Sequence, residues 1–275
     1  MEPFVSEHEG YLLLKEWQKL LPNLTAGFTT RNGGYSKEPF HQFNLGLHVN
    51  DEEADVHANR KKLSSMIGFD TGVWVCADQI HHNKIQKVTN DDRGKGVFHY
   101  NESIKATDGL YTGEADLLLT SCYADCVPLF FISPQKKLIG LAHAGWKGTV
   151  KGIGIEMAKA WELTEGVTPD QIFVAIGPSI QGCCYEVDDK VISEVQKVLS
   201  EYSISELPYK EKAKGKYVLS LPLLNKQLLL KAGLLEQRIQ MSSLCTSCED
   251  GVFFSHRRDK GQTGRMMSFI GYKEE

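Results

Sequence analysis

Two apolar runs, VPLFFIS at 127–133 and LIGLAHAG at 138–145, flank the tetrapeptide Pro134-Gln135-Lys136-Lys137. Runs of strand length without polar alternation suit strands covered on both faces, and a short proline turn between them makes the two strands antiparallel neighbours. A hairpin covered on both faces, with the helices read elsewhere in the chain, suits a mixed α/β domain. The pairing has a chemical consequence. Cys126 and His143 stand almost symmetrically about the turn, about seven to ten residues from its centre, and antiparallel pairing brings them together across the sheet. An imidazole beside a cysteine either lowers the thiol pKa or shares a metal ion with it. The bland alternative, a buried small side chain and a satisfied core histidine, carries about equal weight on periodicity alone. Asp125 and the Ala144-Gly145-Trp146 turn weigh against it, because a charge and a glycine turn suit an open rim.

The rest of the chain supplies those helices and further strands. GYLLLKEWQKLL has helical apolar spacing up to Leu20 and Leu21, ended by Pro22 and Asn23, and a strand through Ala26 and Phe28 follows. Asn32-Gly33-Gly34 signals a turn, and HQFNLGLHVND reads as a loop. Asp51 is positioned to cap a helix that ends at Gly68. VWVCADQIHHNKIQKVT predicts two short strands with the histidines near one end, and the polar segment 90–109 predicts a long loop crossing towards the site. After the strand ADLLLTSCYADC and the hairpin, TVKGIGIEMAKAWELTEG predicts one helix, with Ile153, Met157, Ala160 and Trp161 at helical spacing. A strand at QIFVAIGP, helices over DDKVISEVQKVLSEY and LPLLNKQLLLKAGL, and one or two strands around VFFSHRRD and RMMSFIGYK complete the pattern. With no repeat, linker or low-complexity tract, residues 1–275 read as a single mixed α/β domain.

Composition narrows the partners. A net charge of −4 and a pI near 6.2 provide no basic field for nucleic acid. MEPFVSEHEG is acidic where a secretory signal is basic, and no apolar run approaches the ~20 residues of a membrane span, so the cytoplasm is the expected compartment. Nothing marks an oligomer interface, and a monomer is the default. The seven cysteines are Cys76, Cys122, Cys126, Cys183, Cys184, Cys245 and Cys248. An odd, scattered set is no disulfide framework. Cys245-Thr-Ser-Cys248 has redox or zinc-ribbon spacing but no second CxxC or His pair to complete four ligands, so it reads as an unmetallated structural pair. Cys183-Cys184 reads similarly.

His81 and His82 offer a third donor beside Cys126 and His143. A catalytic zinc takes three protein ligands and keeps a fourth position open. Adjacent strand residues point to opposite faces, so only one of the two histidines faces the site, and spacing does not choose between them. Asp125 is a candidate proton shuttle. Arg31, His256, Arg257, Arg258 and Arg265 are candidates for an anionic group, since guanidinium forks match phosphate or carboxylate.

The segments TTRNGGYS, FNLGLHVND, ADQIHHNKIQKV, DGLYT, LLLTSCYADCVPLFF, LAHAGWKGTVKGI, AIGPSIQGCCYEV and FFSHRRDKGQTGRM resemble, in order and over nearly the whole chain, the YfiH/YlmD-type proteins. These were described first as polyphenol oxidases or laccases and later as purine nucleoside phosphorylases. The resemblance implies a layered α/β/β/α sandwich with mixed sheets. It also implies a zinc ion held by His81, Cys126 and His143, with Cu2+ a substitute on affinity grounds. Arg31, Asn44 and Arg258, in loops of the matching segments, become the expected substrate-binding residues. The chain departs from the family pattern at His82, commonly Gly, and at His256, commonly Tyr, where substrate preference could shift. The implied activity is phosphorolysis of adenosine, inosine, guanosine and methylthioadenosine, with deamination of adenosine as a side reaction.

Two other functions compete with this expectation. A Cys126 nucleophile with His143 as base would make a cysteine hydrolase or amidase, a class that includes peptidoglycan-precursor editing. A binding protein that keeps the fold without turnover is the third reading. A multicopper oxidase is excluded by count: its copper centres need a large set of imidazoles, many in His-x-His pairs, and this chain has nine histidines and no such pair.

Overall fold

The computed structural model describes residues 1–274. In chain order the strands and helices are β1 (Val5–His8), β2 (Tyr11–Leu13), β3 (Leu24–Thr29), α1 (Glu53–Ile67), β4 (Trp74–Cys76), β5 (Ile85–Lys87), β6 (Gly109–Thr112), β7 (Leu118–Tyr123), β8 (Val127–Ser133), β9 (Leu138–Ala144), α2 (Trp146–Val150), α3 (Ile153–Glu165), β10 (Phe173–Ile176), β11 (Glu186–Asp188), α4 (Asp189–Glu201), β12 (Tyr209–Ala213), β13 (Lys216–Leu219), α5 (Leu221–Lys231), β14 (Ile239–Met241) and β15 (Met266–Tyr272). Two six-stranded mixed sheets form the middle, one ordered β1-β2-β3-β15-β7-β4 and the other β14-β10-β8-β9-β6-β5.

Side-chain alternation along β8 shows why the sheets stack. Phe130 and Ile132 face the first sheet, joining Phe28, Leu119 and Ile270, whereas Leu129 and Phe131 face α3, α4 and α5 with Met157, Val195 and Leu228. On the outer face of the first sheet, Leu118, Met267 and Phe269 pack with Leu63 of α1. The result is the expected α/β/β/α sandwich, and each fully buried Leu, Ile or Phe stabilises it by about 1.5–3 kcal/mol. Among the described residues no helix is long and apolar enough to cross a membrane.

Several local expectations are corrected. Residues 11–21 do not form one helix: Leu12 and Leu14, two apart, are both buried as in a strand, β2 pairs with β3, and only Lys15–Lys19 coils as a 3-10 turn anchored by Trp17 Nε1 donating to Gln240. Asp51 does not cap α1. Glu52 holds that position, and Asp51 instead accepts from Asn44 Nδ2 and from the Glu52 N–H. The helix after His143 is two, because Gly152 takes φ 71° and breaks α2 from α3. VFFSHRRD forms no strand. There, side chains replace a ladder: the Ser255 N–H and Thr263 Oγ1 donate to Asp259. The small sheet β11-β13-β12 and strand β14 were not anticipated, and their short, polar or three-residue segments explain why.

Candidate metal centre and its cavity

β8 and β9 pair with Pro128 opposite His143 and Val127 opposite Ala144. His143 follows Ile139 and Leu141 on the face turned to the first sheet, so its ring ends the inter-sheet core, 5.4 Å from the Tyr123 ring. Cys126 immediately precedes β8. The loop between β4 and β5 brings up His81, held with φ 62°, its ring edge-on to His143 at 4.7 Å. His81 Nε2 lies 3.9 Å from Cys126 Sγ, and one donor atom from each of His81, Cys126 and His143 lies within 4.8 Å of the others. His82 is exposed and absent from this group. The reason differs from the one expected: the pair lies in a loop, where strand alternation does not apply.

Sequence reading missed the residue that organises this arrangement. Asp108, fully buried, accepts the backbone N–H groups of Ile80, His81 and His82 at 3.2, 2.9 and 2.8 Å. Its Oδ1 is also 2.9 Å from His143 Nδ1. Since an ionised carboxylate only accepts, Nδ1 carries the proton and Nε2 is left for an ion or a thiol. Burial opposes the Asp108 charge, but His143 and the N–H groups of His82 and His81 outweigh it and hold the carboxyl below its usual range. Burial likewise opposes the Cys126 thiolate, yet His143 and His81 bring its pKa down to about 6. His143 is raised to about 9 by Cys126 and Asp108, against the effect of burial. Asp108 stands in a polar stretch with no partner nearby in sequence, so only the fold reveals its use.

The donor set suits zinc. One thiolate and two imidazoles are ligands that zinc commonly takes in sites with an open position. Room is kept by Gly145, where a Cβ would lie 2.9 Å from His81 Cδ2 and 3.1 Å from Cys126 Sγ.

The three residues open onto a cavity of about 470 Å³, within the range of small-molecule sites. Arg257, Arg265 and Lys147 bring positive charge to its wall, and Tyr100, Trp146 and Tyr185 bring aromatic surface. His256 also lines it. Arg257 stacks over Tyr185 at 5.0 Å.

Other expected site residues lie elsewhere or are already engaged. Arg31 donates to the carbonyls of His41 and Asp250 and stacks over Phe254. Asn44, fully buried, accepts from the N–H groups of Gly46 and Arg265. Arg258 pairs with Asp259 and donates to the carbonyls of Thr246 and Phe253. None of these three lines the cavity; each ties loops together. Asp125 does line it, with φ 80°, but its carboxylate accepts from Thr246 Oγ1, Ser255 Oγ and the Arg257 N–H at 2.7, 3.0 and 2.7 Å. Those bonds fasten two loops at the cavity wall.

Comparison with known proteins agrees over the whole chain. The model of a family described as "Multi-copper polyphenol oxidoreductase laccase" matches residues 25–273. A Bacillus subtilis protein named purine nucleoside phosphorylase YlmD is 50% identical over 275 residues, covering 99% of this chain and 98% of the relative. The crystal structure of YlmD from Geobacillus stearothermophilus superposes with a TM-score of 0.95 at 45% identity over 100% of both chains. Neisseria meningitidis NMB0706, 26% identical, superposes with a TM-score of 0.80 over 93% of this chain and 97% of its own. From β3 to the last strand and over nearly the whole chain, this protein belongs to the YfiH/YlmD family, whose model carries that laccase description.

Proposed function

We propose that this chain is a zinc-dependent purine nucleoside phosphorylase. It would convert adenosine, inosine, guanosine or methylthioadenosine and phosphate to the free base and a pentose 1-phosphate, with adenosine deamination as a side reaction. The name carried by its relatives supports the class of reaction. The observation that carries the metal is His81: a nucleophile and its base need one imidazole, whereas here a second one approaches the same sulfur from a separate loop.

His81, Cys126 and His143 would hold the ion, and Asp108 would fix the imidazole of His143 in the tautomer that offers Nε2. Zinc held there would supply a Lewis acid to the cavity, and Cu2+ could replace it. The chain's own residues do the rest. Phosphorolysis places an anion against a ribosyl carbon that gains positive charge, so orientation and charge stabilisation dominate. Arg257, Arg265 and Lys147 suit the phosphate, and Tyr100, Trp146 and Tyr185 offer flat faces for the base and shelter from water. His256 is positioned to influence which nucleoside is preferred.

Product analysis with adenosine tests the proposal. Adenine and ribose 1-phosphate are expected only when phosphate is present, and Cys126→Ala is expected to abolish them. Inosine formed without phosphate reports the deaminase reaction. Adenosine left intact with phosphate and metal present would overturn the assignment.

A cysteine hydrolase remains the second reading, since Cys126, His143 and Asp108 also form a thiol–imidazole–carboxylate series with a lowered thiol pKa. Zinc content separates the two. Protein with stoichiometric zinc whose Cys126 is alkylated only after chelation supports the metal centre; metal-free protein rapidly inactivated by iodoacetamide supports the nucleophile.

A further inference from the structure

Four of the seven cysteines meet at one place outside the cavity. Cys183 and Cys184 lie in the connection between β10 and β11, and Cys245 and Cys248 in the connection between β14 and β15. Cys183 Sγ lies 3.7 Å from Cys184 Sγ and 3.5 Å from Cys248 Sγ, and Cys184 Sγ lies 3.3 Å from Cys248 Sγ. All four sulfurs fall within 4.8 Å of one another. We propose that Cys183, Cys184, Cys245 and Cys248 form a second metal site, a closed tetrathiolate that binds a structural zinc ion.

The geometry argues for an ion in place of a packing cluster. Sulfurs at the corners of a tetrahedron around zinc, with bonds near 2.3 Å, stand about 3.8 Å apart. The separations among Cys183, Cys184 and Cys248, 3.3–3.7 Å, are close to that edge and well beyond a disulfide bond of about 2.05 Å, and the Cys245 sulfur lies within 4.8 Å of each. Cys183 and Cys248 are exposed, so apolar burial does not explain the gathering. The backbone suits a thiolate at Cys245: the Gln181 N–H donates to its sulfur at 3.4 Å. The Cys-x-x-Cys turn, incomplete in sequence, thus finds its other two ligands in a vicinal pair 61 or more residues earlier. Four thiolates fill the coordination sphere, which suits a structural ion.

The ion would clip together the loops that form one wall of the cavity. Ser179 bridges to Cys245, Ile180 N–H donates to the Asp125 carbonyl, and Thr246 Oγ1 donates to its carboxylate. Tyr185, next to Cys184, lines the cavity under Arg257. Losing the clip should therefore loosen substrate binding and stability and leave the His81–Cys126–His143 group in place.

Metal analysis of the full chain, expressed in zinc-supplemented medium, tests this. The triple variant His81→Ala, Cys126→Ala, His143→Ala should retain one zinc per chain, and its cobalt-substituted form should show the intense thiolate-to-cobalt absorption of four-sulfur coordination. Cys183→Ser with Cys248→Ser in the otherwise native chain should lose one zinc, lower Tm and raise KM more than it lowers kcat. Should that variant fail to fold, thiol counting on native protein decides: four cysteines besides Cys126 should become reactive only on chelation. A triple variant free of zinc with no cobalt–thiolate band would overturn the proposal. So would a mass deficit showing disulfides among the four cysteines in freshly reduced, zinc-loaded protein.

Discussion

Asp108 accepts four hydrogen bonds that no neighbour in sequence foretells, three from the loop at 80–82 and one from the His143 ring. Asparagine there would present an amide N–H to at least one of those donors and lower the basicity of His143. Asp108→Asn is expected to weaken zinc binding about 10–100-fold, as loss of a carboxylate behind a ligating imidazole does. Competition with a chelating dye would measure it, and unchanged affinity would show that His143 does not ligate. The same scale shows why Arg31, Asn44 and Arg258, expected as substrate contacts, are found engaged with protein groups outside the cavity lining. Polar side chains in glycine-rich loops look identical in sequence whether they meet a ligand or a backbone carbonyl. Here Arg258 spends its donors on Asp259 and on the carbonyls of Thr246 and Phe253. Arg257, its immediate neighbour, lines the cavity.

At the scale of elements, the β8–β9 hairpin was legible because apolar runs and a proline turn act locally, and the register of Pro128 with His143 follows from them. The break between α2 and α3 was not legible, since the apolar spacing continues through it. Gly152, in the left-handed region, turns the chain so that Trp146 and Lys147 line the cavity while α3 packs on the second sheet. Gly152→Ala adds a Cβ at a backbone conformation that disfavours it and should cost about 1–2 kcal/mol. Denaturant unfolding should show a lower midpoint with an unchanged m-value. A midpoint equal to that of the native chain would mean that the break is not set by Gly152.

The molecule as a whole brings a titrating pair to the end of its core, and the metal-free form should reveal it. From about 6 upward the fold holds Cys126 as a thiolate where the unfolded chain keeps a thiol, so this group makes stability rise with pH. The fold also keeps a proton on His143 up to about 9, whereas an unfolded imidazole loses it near 6.5, so this group makes stability fall with pH over the same window. The two proton balances offset, and chelated native protein should vary little in stability between pH 6.5 and 9. In Cys126→Ala the rising contribution is gone and His143 keeps only the Asp108 part of its rise, so stability should decline just above pH 6.5 and level off well below 9. Urea titrations at a series of pH values would check this; parallel profiles for the two proteins would contradict it.

The sequence by itself determined the mixed α/β class, the central hairpin and the convergence of Cys126 with His143, because apolar periodicity and turn chemistry are local and strand pairing is their direct outcome. Only the tertiary structure decided which loop residues face the cavity, that Asp108 holds the imidazole, and that Cys183 and Cys184 meet Cys245 and Cys248. Those contacts join segments distant along the chain. Their partners are chosen by how the sheets stack and where the loops are tied down, which no local pattern records.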